Sequence, residues 1–166
     1  GSLVLDRVHR VAYAAQSLRT DPELVRTFAA AMGYQALVFA TALQRGQPIY
    51  HTNVLMTIGT TAAVLCVDAI ADAPQRTAVA EALRATGRRL VPLTLAQLGE
   101  FAGNLLEVRS RKGEPLWVMS TRAFTALRPE QRQELGRDAT LIHTPLPTIE
   151  SVGGGSARCM LGELFG

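Results

Sequence analysis

The chain has 166 residues, of which 48% are hydrophobic and 19% are charged, and it carries a formal net charge of +3. This composition is typical of a folded, soluble domain with a sizeable core, and its scattered arginines do not indicate a nucleic-acid surface. No apolar run reaches the ~20 residues of a membrane span and no leader opens the chain, so a cytoplasmic protein without a membrane partner is expected.

The same order of elements is predicted three times along the chain: two strands joined by a turn, then a helical part, then a third strand. Capping residues and prolines mark helix starts, and glycines follow helix ends. The predicted elements cover residues 3–5, 11–15, 22–32 (helix) and 36–40 in the first unit, 54–58, 63–67, 74–86 (helix) and 89–93 in the second, and 105–108, 116–119, 122–127 and 130–135 (both helical) and 140–143 in the third.

Each unit begins with one small polar residue in front of an apolar strand. Ser2, Asn53, Asn104 and Cys159 occupy this position and follow one another at intervals of 51, 51 and 55 residues. If the units are arranged as blades around an axis, equivalent positions converge on that axis, and the four residues face one another. The alternative is coincidence, because apolar strands often begin after a polar turn residue.

The sequence predicts one α/β domain over residues 1–166, but an incomplete one. Three blades in an open array leave unpaired strand edges and half-covered apolar faces. Residues 159–165 have the pattern of a strand that begins a fourth unit, and we expect it to pair with an N-terminal blade that is missing. The chain also opens without methionine and enters an apolar run at once, so Gly1 is expected to lie inside a larger protein, unless Gly1 and Ser2 derive from cloning.

Cys159 is the candidate nucleophile. It follows Arg158 and the three glycines 153–155, and successive amides in such a loop can point at an anion. These groups would favour the thiolate, which is the form that attacks carbon. The alternative is a structural cysteine after a flexible glycine linker. Cys66 lies in an apolar strand and is predicted to be a core residue, and both thiols are expected to be free.

Three histidines compete for the role of proton carrier beside this cysteine. His51 lies two residues before Asn53, so the repeat places it at the same end of the axis as Cys159. His9 lies at the tip of the first hairpin, where a solvated role is favoured, and His143 ends a strand. His51 is therefore the candidate acid and base, and the alternative is a histidine that merely precedes a strand.

Four further residues are candidates for substrate binding. The carboxamides of Asn53 and Asn104 offer donors and an acceptor, which suits a planar, nitrogen-rich group; asparagines that only form turns are the alternative. Arg19 can bind a substrate carboxylate in a fork or form a surface ion pair. Arg158 is included because it adjoins the thiol.

The sequence resembles the arginine deiminase-related branch of the amidinotransferase superfamily, whose members are also called penteins, over essentially all 166 residues. The most specific segments are Tyr-His-Thr-Asn at 50–53 and Gly-Gly-Gly-Ser-Ala-Arg-Cys-Met at 153–160. Residues 1–7, 17–20, 101–104 and 147–150 match in the same order.

The resemblance implies a five-bladed α/β propeller with its active site in the central channel, of which this chain would supply about three blades and the closing strand. It also implies a hydrolase of guanidino or ureido carbon–nitrogen bonds. Cys159 would attack the central carbon and form a covalent amidino-thio intermediate. His51 would protonate the departing amine and then activate water, and Arg19 would bind the substrate carboxylate.

Two departures from the family pattern affect the expected activity. The family also uses a glutamate that would fall a few positions before Gly1, so the chain alone is expected to be inactive or nearly so. The related deiminases commonly have aspartate where this chain has Asn53. Because the lost charge weakens attraction for a cation, we expect a ureido substrate such as citrulline, with release of ammonia and ornithine, rather than arginine.

The expected protein is thus an enzyme of arginine metabolism that binds a small amino acid and needs no cofactor or metal. No phosphate-binding glycine fingerprint opens a helix, and the cysteines and histidines lack metal-site spacing. No nucleic acid is expected as a partner, and a homo-oligomer is left open. The alternative is a non-catalytic pentein like a ribosome anti-association factor, which would not pair His51 with Cys159.

Overall fold

The computed structural model describes residues 1–42 and 48–162. Within these ranges, three units each contain two antiparallel strands, a helical crossover and a third strand. None of the helices in these ranges is long and apolar enough to cross a membrane. The strands are β1 (Leu3–Asp6), β2 (Val11–Ala15), β3 (Gln35–Phe39), β4 (Met56–Ile58), β5 (Ala62–Leu65), β6 (Arg89–Pro92), β7 (Leu106–Arg109), β8 (Pro115–Ser120) and β9 (Thr140–Thr144). The helices are α1 (Pro22–Met32), α2 (Ala73–Ala85), α3 (Leu95–Gly99), α4 (Thr121–Ala126) and α5 (Pro129–Leu135).

Each unit forms its own three-stranded sheet, in the orders β1-β2-β3, β4-β5-β6 and β7-β8-β9. The first two strands of every sheet pair antiparallel, and the third pairs parallel to the second. A parallel third strand needs a crossover, which α1, α2 and the α4–α5 pair supply. The predicted repeat of strand, strand, helix and strand is therefore confirmed, as is the mixed α/β class.

Capping side chains fix where the crossover helices begin. Asp21 accepts a hydrogen bond from the Leu24 amide at 2.9 Å, and Asp72 accepts one from the Gln75 amide at 3.0 Å. Such a cap satisfies an amide that has no partner inside the helix. α1 ends at Gly33, whose φ of 68° lies in the left-handed region that glycine favours.

The first strands of the three units lie beside one another, because β1 contacts β4 and β4 contacts β7. Buried threonines tie the units together at this point. Thr52 Oγ1 accepts a hydrogen bond from the Ala15 amide at 2.8 Å, and Thr57 Oγ1 donates to the Leu105 carbonyl at 2.8 Å. One buried hydrophobic cluster extends through all three units. The starts of the inner strands therefore come together in space.

A buried ion pair joins the first two units at the other end of the inner strands. Asp6 Oδ2 lies 2.5 Å from Arg88 Nη1 and 3.0 Å from His9 Nδ1, and Arg88 Nε donates to the Gly59 carbonyl at 2.7 Å. Burial works to raise the pKa of Asp6, but the hydrogen bonds and charge of Arg88 and the backbone amide of His9 outweigh it. The pKa of Asp6 is consequently lowered below 3.8.

Three elements differ from the prediction. The strand expected over 54–58 begins only at Met56, because Thr52–Val54 forms a 3-10 helix in which the Val54 amide donates to the His51 carbonyl. The strand expected over 159–165 is wrong at its start, since Ala157–Met160 also forms a 3-10 helix; residues 163–166 lie outside the described residues. Helix α3 was not predicted, although Thr94 caps it.

Candidate active site

Cys159 lies close to two asparagine side chains from other parts of the repeat. Nδ2 of Asn104 is 3.3 Å from the sulfur, and Nδ2 of Asn53 is 3.9 Å from it. Asn104 Nδ2 also donates to the backbone carbonyl of Asn53 at 3.3 Å, and the backbone N–H of Asn53 donates to the Gly1 carbonyl. The structure thus brings three of the four repeat positions together, whereas Ser2 donates its hydroxyl to the Arg19 carbonyl.

The polar environment of the sulfur suits both a thiolate and an N–H-bearing ligand. Both asparagines are buried, while Cys159 is exposed. Carboxamide N–H groups directed at sulfur stabilise negative charge on it. Asn53 Oδ1 is buried and accepts no hydrogen bond among the described residues. A buried acceptor without a donor costs about 1–3 kcal/mol, so this oxygen is suited to a ligand that supplies one.

The glycine segment before Cys159 allows the chain to approach the sulfur closely. Gly154 has a φ of 67°, in the left-handed region. A Cβ placed on Gly155 would lie 3.1 Å from the Cys159 sulfur, so any side chain there would displace the thiol. The Cys159 amide then donates to the Ser156 carbonyl at 3.0 Å. Glycines 154 and 155 therefore set the position of the sulfur.

The Arg158 side chain extends to the second unit. Its Nη1 donates to Thr57 Oγ1 at 2.6 Å and to the Met56 carbonyl at 3.2 Å. These bonds hold Arg158, the neighbour of Cys159, against β4. Thr57 of the same strand also forms the hydrogen bond to Leu105 in the third unit. The expectation that Arg158 itself favours the thiolate stays a prediction.

His51 immediately precedes the 3-10 helix that carries Asn53. Its ring lies 4.7 Å from the Tyr50 ring, centroid to centroid, and packs against Gly1. In the described part of the chain, no hydrogen bond joins His51 to Cys159. Burial lowers the pKa of His51 below 6.5, and the charge of Arg19 acts in the same direction. The imidazole is therefore neutral near pH 7 and can accept a proton.

Tyr50 is a residue of the site that sequence reasoning missed. Its hydroxyl donates to the Gly154 carbonyl at 2.8 Å, and the exposed Arg19 guanidinium lies 5.7 Å from its ring centroid. Burial raises the pKa of Tyr50, the charge of Cys159 adds to this effect and Arg19 opposes it, so the hydroxyl keeps its proton at neutral pH. The available signal was its place directly before His51.

Two clefts meet at Tyr50. The inner cleft has a volume of about 470 Å³ and is lined by Asn104 and Cys159, whereas the outer cleft has about 590 Å³ and is lined by Arg19. Both share Tyr50 and Gly154. The arrangement places a cation in one cleft and the thiol in the next, which suits a small molecule with a carboxylate at one end and a nitrogen-rich group at the other.

The other candidates for chemistry have structural partners. Cys66 is buried, and burial raises the pKa of its thiol to about 11, as fits a core residue. His9 bonds Asp6, and the ring of His143 stacks on Phe124 at 4.1 Å. Across residues 1–42 and 48–162, no group of three or more His, Cys, Asp or Glu side chains could hold a metal ion.

The repeated unit and the cysteine pocket at the meeting point of the inner strands are the features of a pentein. The sequence profile of the family described as N,N dimethylarginine dimethylhydrolase, eukaryotic, matches residues 1–166. The chain therefore belongs to this family. The resemblance to the amidinotransferase superfamily is thereby confirmed. No curated protein sequence matches the chain.

Solved structures of the proteins ArgZ and AgrE have a similar fold. ArgZ, an arginine dihydrolase of the ornithine–ammonia cycle in cyanobacteria, has in its apo form a TM-score of 0.73 and 17% identity over 96% of this chain and 23% of its own. The product-bound N-terminal domain of ArgZ has a TM-score of 0.74 and 18% identity, over 96% of this chain and 53% of that domain. A variant of AgrE in complex with L-arginine has a TM-score of 0.74 and 19% identity, over 95% of this chain and 22% of its own. This chain thus spans about half of that N-terminal domain, and at these identities the likeness shows the fold alone.

Proposed function

We propose that this protein is a cysteine-dependent hydrolase that cleaves a carbon–nitrogen bond of a guanidino or ureido amino acid. The observation that carries the proposal is the contact of the Cys159 sulfur with the carboxamides of Asn53 and Asn104. A planar group rich in N–H donors would find an acceptor in Asn53 Oδ1 and a nucleophile beside it. Membership of a guanidino hydrolase family supports the same reaction class.

The chemistry follows from the roles that these side chains can take. His51 takes the proton of the Cys159 thiol, the resulting thiolate adds to the central carbon, and the imidazolium then gives that proton to the nitrogen that departs. This leaves the remaining group on sulfur as a covalent amidino-thio or carbamoyl-thio intermediate. The now neutral imidazole of His51 then accepts a proton from water, which attacks the same carbon and releases the thiolate. The lowered pKa of His51 supports its role as a base near pH 7.

Arg19 is proposed to hold the substrate carboxylate in the outer cleft. A guanidinium binds a carboxylate through two parallel hydrogen bonds, which fixes orientation as well as charge. Tyr50 lies between this cation and the glycine loop, so a substrate would pass its aliphatic part along the Tyr50 ring. The three sheets are proposed to form part of a pentein propeller whose central channel carries the thiol.

The neutral side chain at position 53 favours a ureido substrate in this proposal. Asn53 adds no negative charge to the pocket, and its free oxygen accepts a hydrogen bond equally well from a neutral ureido N–H. Citrulline is therefore the first substrate to test, with arginine and methylated arginine beside it.

Covalent labelling tests the proposal together with turnover. We expect 2-chloroacetamidine, an electrophile with an amidinium group, to modify Cys159 and block the release of ammonia from substrate. Cys159→Ser should abolish the labelling and the release of ammonia. Cys66→Ala is the matched control and should retain both activities. The labelled peptide is identified by mass spectrometry. Labelling of Cys66 in place of Cys159, together with turnover that survives Cys159→Ser, would contradict the proposal.

A further inference from the structure

Glu150 is a buried carboxylate near the nucleophile loop that the proposed reaction does not use. It is 7% exposed, and its Oε1 accepts a hydrogen bond from Ser156 Oγ at 2.7 Å, while Ser156 is fully buried. Glu150 forms no ion pair among the described residues, and Arg122, which lines the same cleft as Glu150, pairs with Glu100. A buried carboxyl group is costly without a hydrogen-bond partner, and the Ser156 hydroxyl supplies one.

The hydrogen bond joins the two ends of the glycine segment. Residue 150 lies before the three glycines and residue 156 directly after them, so the bond closes a loop that would otherwise have wide conformational freedom. The Glu150 amide is itself held by the Leu146 carbonyl at 3.0 Å. The glycine loop is thus attached, through Glu150, to Leu146 in the segment that follows β9.

Ser156 passes this restraint to the nucleophile. Its carbonyl accepts the hydrogen bond from the Cys159 amide at 3.0 Å at the start of the 3-10 helix Ala157–Met160. A shift of Ser156 would therefore move the sulfur relative to Asn53 and Asn104. Partners that orient a reacting group without touching substrate commonly change reactivity by about 10- to 100-fold when removed.

We infer that Glu150 is a positioning residue that holds the Cys159 sulfur against the two asparagines by clamping Ser156 across the glycine loop. The inference rests on the proposed role of Cys159 as nucleophile. It concerns the acceptor oxygen of residue 150 and not its charge, because the bond that closes the loop needs only an acceptor for the Ser156 hydroxyl.

Four variants of the protein test the inference by the rate at which Cys159 reacts with 2-chloroacetamidine. Glu150→Ala and Ser156→Ala should each slow this reaction about tenfold, and the double variant should be no slower than the worse single variant, as two halves of one bond require. Glu150→Gln should stay within about threefold of the wild type because its carboxamide oxygen still accepts. Ser151→Ala is the matched control, since that hydroxyl bonds the Pro147 carbonyl outside the loop closure.

Two measurements separate positioning from misfolding. Cys66 is fully buried and must remain unlabelled in every variant, and the fluorescence of the single tryptophan, Trp117, must show a cooperative unfolding transition. Where substrate is turned over, kcat should fall while KM changes less than about threefold, because Glu150 does not touch substrate. If Glu150→Ala fails to fold, the labelling rates of Ser156→Ala and Glu150→Gln still test the inference.

The outcomes are distinct from those for the proposed function. Wild-type labelling rates in Glu150→Ala, or equal losses in Glu150→Gln and Glu150→Ala, would overturn the inference. If no guanidino or ureido compound is hydrolysed but labelling depends on Glu150 as expected, the substrate class is wrong and the positioning role stands.

Discussion

The side chain of Asn53 lies beside the proposed nucleophile and carries no charge. Its Nδ2 lies 3.9 Å from the Cys159 sulfur, and its Oδ1 has no hydrogen-bond donor among the described residues. Replacing the carboxamide with a carboxylate keeps the shape of the side chain and adds a charge. An added anion attracts a guanidinium but adds little attraction for a neutral ureido group. A substitution at residue 53 therefore tests whether the pocket distinguishes charged from neutral substrates.

Asn53→Asp should therefore shift preference toward cationic substrates. We expect the ratio of kcat/KM for arginine to kcat/KM for citrulline to rise by about tenfold, which corresponds to ~1.4 kcal/mol of differential binding. Steady-state assays of ammonia or ornithine release on both substrates measure this ratio. An unchanged ratio would mean that the charge at position 53 does not face the reacting group.

The protonation of His51 should set the acid limb of the pH profile. Because burial lowers the pKa of His51 below 6.5, the imidazole gains its proton only below that pH, and the rate of a base-dependent step should fall there. His51→Gln should reduce the rate about 100-fold or more and remove this limb. Rates of ammonia release between pH 4.5 and 8 measure both effects; a limb that persists in His51→Gln belongs to another group.

At the scale of elements, a close approach of backbones places Asn104 at the site. A Cβ on Gly103 would lie 2.2 Å from the carbonyl oxygen of Val54, and that carbonyl belongs to the 3-10 helix that carries Asn53. Gly103→Ala should therefore force the two units apart, destabilise the protein by about 1–3 kcal/mol and slow the alkylation of Cys159. Urea denaturation and labelling rates measure these changes.

A matched glycine provides the control for this substitution. A Cβ on Gly99 meets no atom within 4 Å, so Gly99→Ala should leave the free energy of unfolding nearly unchanged. Equal stability of Gly103→Ala and Gly99→Ala would show that the loop at Gly103 yields without cost, and that Asn104 is not held by this contact.

The elements that sequence reasoning predicted are those with local causes. Asp21 and Asp72 cap helices through amides three residues away, and β1 and β2 pair across a short turn. The 3-10 helix at Thr52–Val54 could not be predicted in this way, because Thr52 bonds the Ala15 amide, which lies 37 residues earlier. The role of Tyr50 depends on a carbonyl that lies 104 residues later. Contacts between units, and not local propensity, determine these features.

The same rule applies to the site as a whole. The spacing of Asn53, Asn104 and Cys159 predicted that these residues would face one another, because each occupies the same place in a repeated unit. Tyr50 and Glu150 have no equivalents in that repeat, so no periodic signal marks them. Their partners, Gly154 and Ser156, are known only from the folded chain.

At the scale of the whole molecule, the ion pair of Asp6 with Arg88 joins two units across 82 residues of sequence. Both side chains are buried, so removing one leaves the other as an uncompensated charge. Asp6→Asn should lower the free energy of unfolding at pH 7 by about 3 kcal/mol. Asp138→Asn, which removes one of the two carboxylates paired with Arg89 in a solvent-accessible cluster, is the control and should have little effect.

The pH dependence of this loss identifies its electrostatic cause. The pKa of Asp6 is lowered below 3.8 in the folded protein, so between 3.8 and that lower value the unfolded chain binds more protons than the folded one. The stabilisation by Asp6 is therefore complete above about pH 4 and is lost as the pH falls through the folded pKa. The difference in unfolding free energy between wild type and Asp6→Asn, followed by Trp117 fluorescence in urea, should shrink as the pH falls below about 4. A difference that stays constant over this range would assign the loss to packing and not to charge.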